Sequence, residues 1–203
     1  MDVRFCDEFD ASVGWTRARP EFRRRTSHAV ASGGRAWVVD PLDGSGIDER
    51  IRELGEPAGV VQLLDRHDRD CRTVAQRLGV PIHVTPFDGV EGAPFDVLRV
   101  VDLPGWREVA LWFPGERILV CGDALGSAPY FLAPEDRVGV HPLLRLWPPR
   151  GLARLRPRQL LLGHGEGVAG DEATSALHTA LRTSRRRIPA WALALRHVRR
   201  RHQ

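Results

Sequence analysis

The chain has 203 residues with a formal net charge of +4 at pH 7, and 42% of the residues are apolar, enough for one globular domain with a two-layer core. It has no run of eighteen apolar residues, and its first residues lead into the acidic stretch 7–10, so we expect a soluble, cytoplasmic protein without a transmembrane segment. Three cysteines without a close pair argue against a disulfide framework.

The first part of the chain predicts strands followed by a short helix. Residues 5–15 alternate loosely between apolar and polar, which indicates one edge strand. Residues 27–40 form two strand-like runs joined by Gly33 and Gly34, a pattern typical of a β-hairpin. Apolar residues at helical spacing then predict a short helix over 47–55.

The central stretch places many polar side chains where a strand ends and a helix begins. The apolar run 59–61 predicts a buried strand, and residues 72–79 predict a helix that ends at Gly79. Between them lies the charged stretch 63–71, which ends in a cysteine. In α/β proteins the carboxyl end of a strand is the usual place for chemistry.

The second half adds more strands and then helices. The patterns predict strands at 81–84, 96–101, 108–113, 117–121 and 159–162, and a helix over 171–184. Because strands and helices mix without a repeat, the sequence predicts an α/β (α+β) fold.

Three separate segments each place metal-binding residue types after a predicted strand. They contribute Asp68, Asp70 and Cys71, then Asp123, and finally His164. Carboxylate, thiolate and imidazole together suit a borderline divalent metal such as zinc.

The order of these segments resembles the metallo-β-lactamase superfamily over most of the chain. The sequence Ile-Leu-Val-Cys-Gly-Asp-Ala-Leu at 118–125 is similar to the family's Gly-Asp motif, and Leu-Gly-His-Gly-Glu at 162–166 is similar to its Gly-His-Gly motif. The stretch Leu-Pro-Gly-Trp at 103–106 matches the segment before a family strand. The resemblance implies a single domain over 1–203, folded as a four-layer αββα sandwich with a metal site along one rim.

The resemblance also shows where this sequence departs from the family. Alignment of the first family motif on Asp70 puts Arg66 and Asp68 at its first two histidines, and Trp106 falls where a third histidine is expected. A protonated guanidinium and an indole cannot donate a lone pair to a metal. We therefore expect the family's three-histidine metal site to be empty.

The second family site retains more of its chemistry. By the resemblance, Asp70, Cys71, Asp123 and His164 occupy its ligand positions, and a deprotonated cysteine can replace histidine on zinc. These residues predict a site for one zinc ion, or for none if Arg66 instead neutralises the carboxylates in an ion-pair network.

Two functions follow from the resemblance. The first is a metal-dependent hydrolase of the ester, thioester or amide class, in which Asp68 orients or deprotonates the attacking water and Arg66 holds an anionic small-molecule substrate. The second is a catalytically inactive member of the family that keeps the cleft as a scaffold for a ligand or a protein.

Several of these residues also have simpler interpretations. Cys71 can be a small buried apolar residue, and Asp123 can accept amide hydrogen bonds within its loop. We expect His164 to face the site, and His28 and His141 to be ordinary strand or surface histidines.

The last segment, at about 185–203, predicts a basic amphipathic helix with arginines between Arg185 and Arg201. Attraction to nucleic acid or to an anionic membrane surface is one function of such a helix. The interpretation we favour is that its apolar side packs on the sandwich. That side consists of Ile188, Trp191, Leu195 and Val198.

Overall fold

The computed structural model describes residues 2–19, 24–66 and 69–200, with side chains as far as residue 196. The first of its two main sheets has six strands in chain order, antiparallel from β1 to β4 and parallel from β4 to β6. These strands are β1 (Val3–Phe9), β2 (Ser12–Arg17), β3 (Thr26–Ser32), β4 (Arg35–Val39), β5 (Glu56–Gln62) and β6 (Ile82–Val84).

The second main sheet has five strands in the order β13-β12-β9-β8-β7, and a two-stranded ribbon lies apart from it. The strands of the second sheet are β7 (Asp96–Leu103), β8 (Trp106–Phe113), β9 (Ile118–Cys121), β12 (Gln159–Leu162) and β13 (Val168–Ala169). The ribbon pairs β10 (Leu125–Gly126) with β11 (Gly139–Val140). Strands β9 and β12 are parallel neighbours.

Within the described residues, four α-helices accompany the sheets, and short 3-10 helices interrupt the proline-rich region between β10 and β12. The α-helices are α1 (Ile47–Leu54), α2 (Cys71–Leu78), α3 (Asp171–Thr183) and α4 (Ile188–Arg200). In the part of the chain that the structure describes, none of the helices is both long and apolar enough to cross a membrane.

The layers follow from the way side chains alternate along the strands. In β5, Val60 packs with the residues of α1 and α2, whereas Val61 packs in the cluster between the two sheets. In β12, Leu161 faces that same central cluster and Leu162 faces the residues of α3. The order of layers is therefore helix, sheet, sheet, helix, which confirms the predicted αββα sandwich.

The amino-terminal prediction of one edge strand over 5–15 is wrong, because the chain turns at Asp10 and Ala11 and returns as β2. The loose alternation reflects two strands with different burial: β2 is buried over Ser12–Trp15, whereas β1 is the half-exposed edge.

Candidate functional site

The site lies where the two sheets meet at one rim of the sandwich. Because β9 and β12 are parallel with Cys121 opposite Leu162, the loops that follow them leave the sheet side by side. The amide of Gly163 donates to the carbonyl of Cys121 at 2.8 Å, and a Cβ on Gly163 would lie 3.0 Å from the carbonyl oxygen of Gly122. Glycine at 163 therefore permits the close approach of the two loops.

This approach brings together two of the predicted site residues. The Nε2 atom of His164 lies 2.8 Å from Oδ1 of Asp123, and both side chains are largely buried. The aromatic rings of Tyr130 and Phe131 line the same space, each with its ring centroid 5.8 Å from that of His164.

Arg66 lies over Trp106 at the same rim. Its guanidinium carbon is 4.9 Å from the centre of the Trp106 ring, and its Nη2 atom is 3.9 Å from Oδ2 of Asp123. The segment before Arg66 crosses to the second sheet, where the amide of Asp65 donates to the carbonyl of Arg107 at 3.1 Å. This crossing places the arginine on the face of the indole.

Glu108 supports the site from below and is completely buried in β8. Its Oε2 atom accepts a hydrogen bond from the indole of Trp106 at 3.0 Å, and its Oε1 atom accepts one from the amide of Ala124 at 2.8 Å. One carboxylate therefore fixes both the ring under Arg66 and the loop that carries Asp123.

His141 completes the aromatic wall, in contrast to our expectation of an ordinary strand or surface histidine. Its ring meets Trp106 edge to face at 4.8 Å and Phe131 at 5.7 Å. Burial lowers the pKa of His141 to about 4, so the ring is neutral at pH 7. Its Nδ1 atom accepts a hydrogen bond from the amide of Leu143, which assigns the ring proton to Nε2.

A second arginine, Arg69, lies under the rim and joins the two sheets. Its guanidinium donates to the carbonyl of Thr26 in β3 at 2.6 Å, to that of Asp40 just after β4 at 3.0 Å, and to that of Gly163 just after β12 at 3.0 Å. Burial lowers the pKa of Arg69, and the nearby charges of Asp40 and Asp123 oppose this effect. A positive charge is therefore built into the base of the site.

The other predicted ligands lie elsewhere. Oδ2 of Asp70 accepts a hydrogen bond from the amide of Asp43 at 2.8 Å, so this carboxylate orders the loop before α1. Cys71 has no exposed surface and packs in the apolar cluster between the first sheet and the helices α1 and α2. Asp68, the predicted water-orienting residue, lies outside the described residues.

Among the described residues, the predicted ligands do not come together as a zinc site. Of the four predicted ligands, Asp123 and His164 are in contact, whereas Asp70 orders another loop and Cys71 packs in an apolar layer. Within residues 2–19, 24–66 and 69–200, no three His, Cys, Asp or Glu side chains are grouped so that they could hold a metal ion. The predicted ligand set is not assembled here, and zinc binding stays a prediction.

Comparisons with solved structures identify the fold. The metallo-β-lactamase DIM-1 is 13% identical, with a TM-score of 0.57 over 91% of this chain and 99% of its own. TMB-1, another metallo-β-lactamase, is 14% identical, with a TM-score of 0.56 over 90% and 98%. A putative diflavin flavoprotein fragment from Nostoc sp. PCC 7120 is 13% identical, with a TM-score of 0.62 over 95% and 98%.

Neither a protein-family model nor a curated protein sequence matches the chain. The structural matches show that the protein has the metallo-β-lactamase fold. At these identities the matches establish the architecture alone, and the chemistry has to be inferred from the residues of this chain.

Sequence reasoning missed five residues of the site: Glu108, His141, Arg69 and the aromatic residues Tyr130 and Phe131. Glu108 had a usable signal, since it is a single carboxylate near the start of the apolar strand 109–113. His141 and Arg69 had weaker signals: the first follows a very short strand, and the second is one charge among many in the stretch 63–71.

Proposed function

We propose that this protein binds an anionic small molecule at the rim without a metal ion and is not a metal-dependent hydrolase. The observation that carries the proposal is the contact between Arg66 and Trp106. By the family resemblance, these two residues stand at metal-ligand positions. Here they contact each other, and a guanidinium supplies positive charge at the rim.

The exposure of Arg66 suits it to bind a ligand. About half of its side chain is accessible to solvent, at 49%, while its guanidinium is positioned by the indole of Trp106 and by Asp123. A guanidinium presents several N–H donors in one plane, and a carboxylate or phosphate can accept two of them at once. Stacking on an aromatic face lowers the cost of ordering the arginine.

The surroundings of Arg66 favour an anion over a cation. Arg69 adds a buried positive charge beneath Asp123, and the neutral His141 contributes an Nε2–H donor at the edge of the same site. A divalent cation at Asp123 would be repelled by two guanidiniums. The aromatic rings of Tyr130 and Phe131 add apolar surface, as is typical of sites for small organic ligands.

One specific observation still favours the hydrolase alternative, namely the contact between Asp123 and His164. A mononuclear zinc site would need Asp70 and Cys71 to join that pair. Cys71 would have to leave an apolar layer in which it is fully buried. We therefore keep the hydrolase as the second candidate, with metal content as its test.

The proposal is tested by ligand binding to the wild type and to Arg66→Gln. Tryptophan fluorescence is titrated with acetate, succinate, citrate and inorganic phosphate, since a ligand at Arg66 lies next to the Trp106 ring. We expect the wild type to bind at least one of these anions, and Arg66→Gln to weaken its binding by about tenfold or more. The matched control is Arg72→Gln, an exposed arginine on α2, which should bind as the wild type does.

Metal content separates the two functions. Protein purified without chelators is assayed for zinc by mass spectrometry, beside the Asp123→Ala variant. We expect no more than trace zinc in either protein. Stoichiometric zinc that disappears in Asp123→Ala would contradict the proposal and support the hydrolase. Equal anion affinity in Arg66→Gln and the wild type would contradict the assignment of the site to Arg66.

A further inference from the structure

Three large apolar side chains project into solvent from one short segment after β11. Leu143, Leu146 and Trp147 are exposed by 72%, 49% and 73% of their surfaces, and we call them the apolar patch. Leu144 and Arg145 between them are buried, so the segment divides its side chains between the interior and solvent. Exposed apolar groups of this size, adjacent in the chain, mark an interaction surface.

The fold fixes the segment in this exposed position. Arg145 is buried, its guanidinium donates to the carbonyl of Phe131, and it stacks on Trp191 at 5.2 Å. Ser184 donates to the carbonyl of Arg145 at 2.8 Å. These buried contacts fix the segment in place, so the side chains of the apolar patch stay exposed to solvent.

Positive charge surrounds the patch. The Nε atom of Arg185 donates to the carbonyl of Leu146 at 2.7 Å, so the basic run before α4 begins against the patch. Arg185, Arg186 and Arg150 are exposed. The sequence contains no aspartate or glutamate over 137–165 and none after 172, so these segments themselves carry only positive charge. Asp136, in the neighbouring segment, is paired with Arg187 at 2.8 Å.

We propose that the apolar patch and the arginines beside it dock the protein onto an anionic lipid bilayer, with Leu143 and Trp147 inserted at the level of the headgroups. Arginines attract an anionic membrane surface, and tryptophan and leucine bury apolar area at the boundary between headgroups and acyl chains. Tryptophan is enriched at that depth because its ring is apolar and its N–H is polar. This proposal is independent of the rim site.

Two other occupants fit the surface less well. A nucleic acid would pair with the arginines but would leave Leu143 and Leu146 exposed, because phosphate contacts bury no aliphatic side chains. A second copy of this chain would bring two surfaces of the same positive sign together. A bilayer with anionic headgroups satisfies both the charge and the apolar area.

The test is co-sedimentation of the full chain with vesicles. One set is phosphatidylcholine alone, and the other contains about one third phosphatidylglycerol, whose anionic headgroups should attract the arginines. We expect binding to the anionic vesicles that falls as salt is raised, and little binding to the neutral ones. A brominated lipid should quench tryptophan fluorescence in the wild type more than in Trp147→Ser.

Two pairs of variants separate the apolar and charged contributions. The double variant Leu143→Ser/Trp147→Ser should lower the affinity for anionic vesicles by about tenfold or more, whereas Leu103→Ser, exposed on β7, should not. The double variant Arg185→Gln/Arg186→Gln should lower it by a similar factor. Its matched control is Arg52→Gln/Arg72→Gln, both exposed on other helices. Circular dichroism confirms that each variant is folded.

Three results would overturn the proposal. Vesicle binding that survives Leu143→Ser/Trp147→Ser unchanged would show that the apolar patch does not insert. Binding to duplex DNA that competes with vesicles and depends on the arginines alone would make the surface a nucleic-acid site. Self-association that the apolar double variant abolishes, without preference for anionic vesicles, would make it an interface between copies of this chain.

Discussion

The indole Nε1 of Trp106 donates a hydrogen bond to the carboxylate of Glu108 at 3.0 Å, and both residues belong to β8 on the same face of the second sheet. The acceptor is fully buried. Loss of the donor therefore leaves a buried carboxylate oxygen with one fewer hydrogen bond, which costs more than the loss of an exposed contact. The pair links the site to the stability of the fold.

We predict that Trp106→Phe destabilises the protein by about 3 kcal/mol, from the lost hydrogen bond to a buried carboxyl group together with the smaller side chain. Denaturant unfolding measures the change. Trp112→Phe on the same strand is the matched control, and it should cost less because Trp112 is partly exposed. A double-mutant cycle with Glu108→Gln should give a coupling energy of about 1 kcal/mol or more. A coupling near zero would contradict the role given to this bond.

We predict that Arg69→Met is strongly destabilising, by about 3 kcal/mol or more, because three backbone carbonyls lose a donor that joins the two sheets. Thermal or denaturant unfolding measures the loss. Arg72→Met removes an exposed arginine three residues later and should change stability by no more than about 0.5 kcal/mol. Similar stabilities for the two variants would refute a structural role for Arg69.

His141 predicts a specific dependence of stability on pH. Burial lowers the pKa of His141 from 6.5 to about 4, so between these values the unfolded chain binds a proton that the folded protein does not. Stability from this residue is fully present above pH 6.5 and is lost as the pH falls towards 4. Allowing for the solvent that reaches the ring, we expect this contribution to the free energy of unfolding to be about 2 kcal/mol.

His141→Asn is the variant that tests this dependence, because an amide oxygen can still accept the hydrogen bond of the Leu143 amide. The free energy of unfolding of both proteins is measured from pH 7 to pH 4. The wild type should lose about 2 kcal/mol more than the variant over this range. Parallel curves would show that His141 does not become protonated on unfolding.

The fold was largely predictable from the sequence, because burial on one or both faces of a strand produces a recognisable pattern of apolar residues. The hairpin at Gly33 and Gly34 forms as predicted, and both glycines have positive φ, which the tight turn requires. The helix that ends at Gly79 forms for a similar reason, because glycine adopts the left-handed conformation after its last turn.

The site was only partly predictable, because side-chain direction depends on contacts between distant segments. The contact of His164 with Asp123 follows from two parallel strands that are each followed by a glycine, Gly122 after β9 and Gly163 after β12. The direction of the Cys71 side chain does not follow from the sequence in this way. Cys71 is the first residue of α2, and a shift of one residue along the helix would turn the side chain from the apolar layer towards the rim. Family position alone therefore suggested a ligand role for a residue that packs in the core.

Cys71 supplies a further test of the proposal that the site binds no metal ion. All three cysteines are buried, and burial raises the pKa of Cys6 to about 12, so we expect none of the thiols to react rapidly with a disulfide reagent at pH 8. In denaturant, three thiols per chain should react. Added zinc should neither protect a thiol nor raise the melting temperature of the folded protein.

The variant Cys71→Ala distinguishes packing from ligation. If Cys71 is a core residue, Cys71→Ala should lower the free energy of unfolding by about 1 kcal/mol and leave the zinc content unchanged. Cys121→Ala in the second sheet should have the same effect, because that side chain is also fully buried. As a zinc ligand, Cys71 would differ from Cys121: only its variant would lose bound metal and any zinc-dependent rise in melting temperature. A difference of that kind would place the thiol at the rim and favour the hydrolase as the function of this chain.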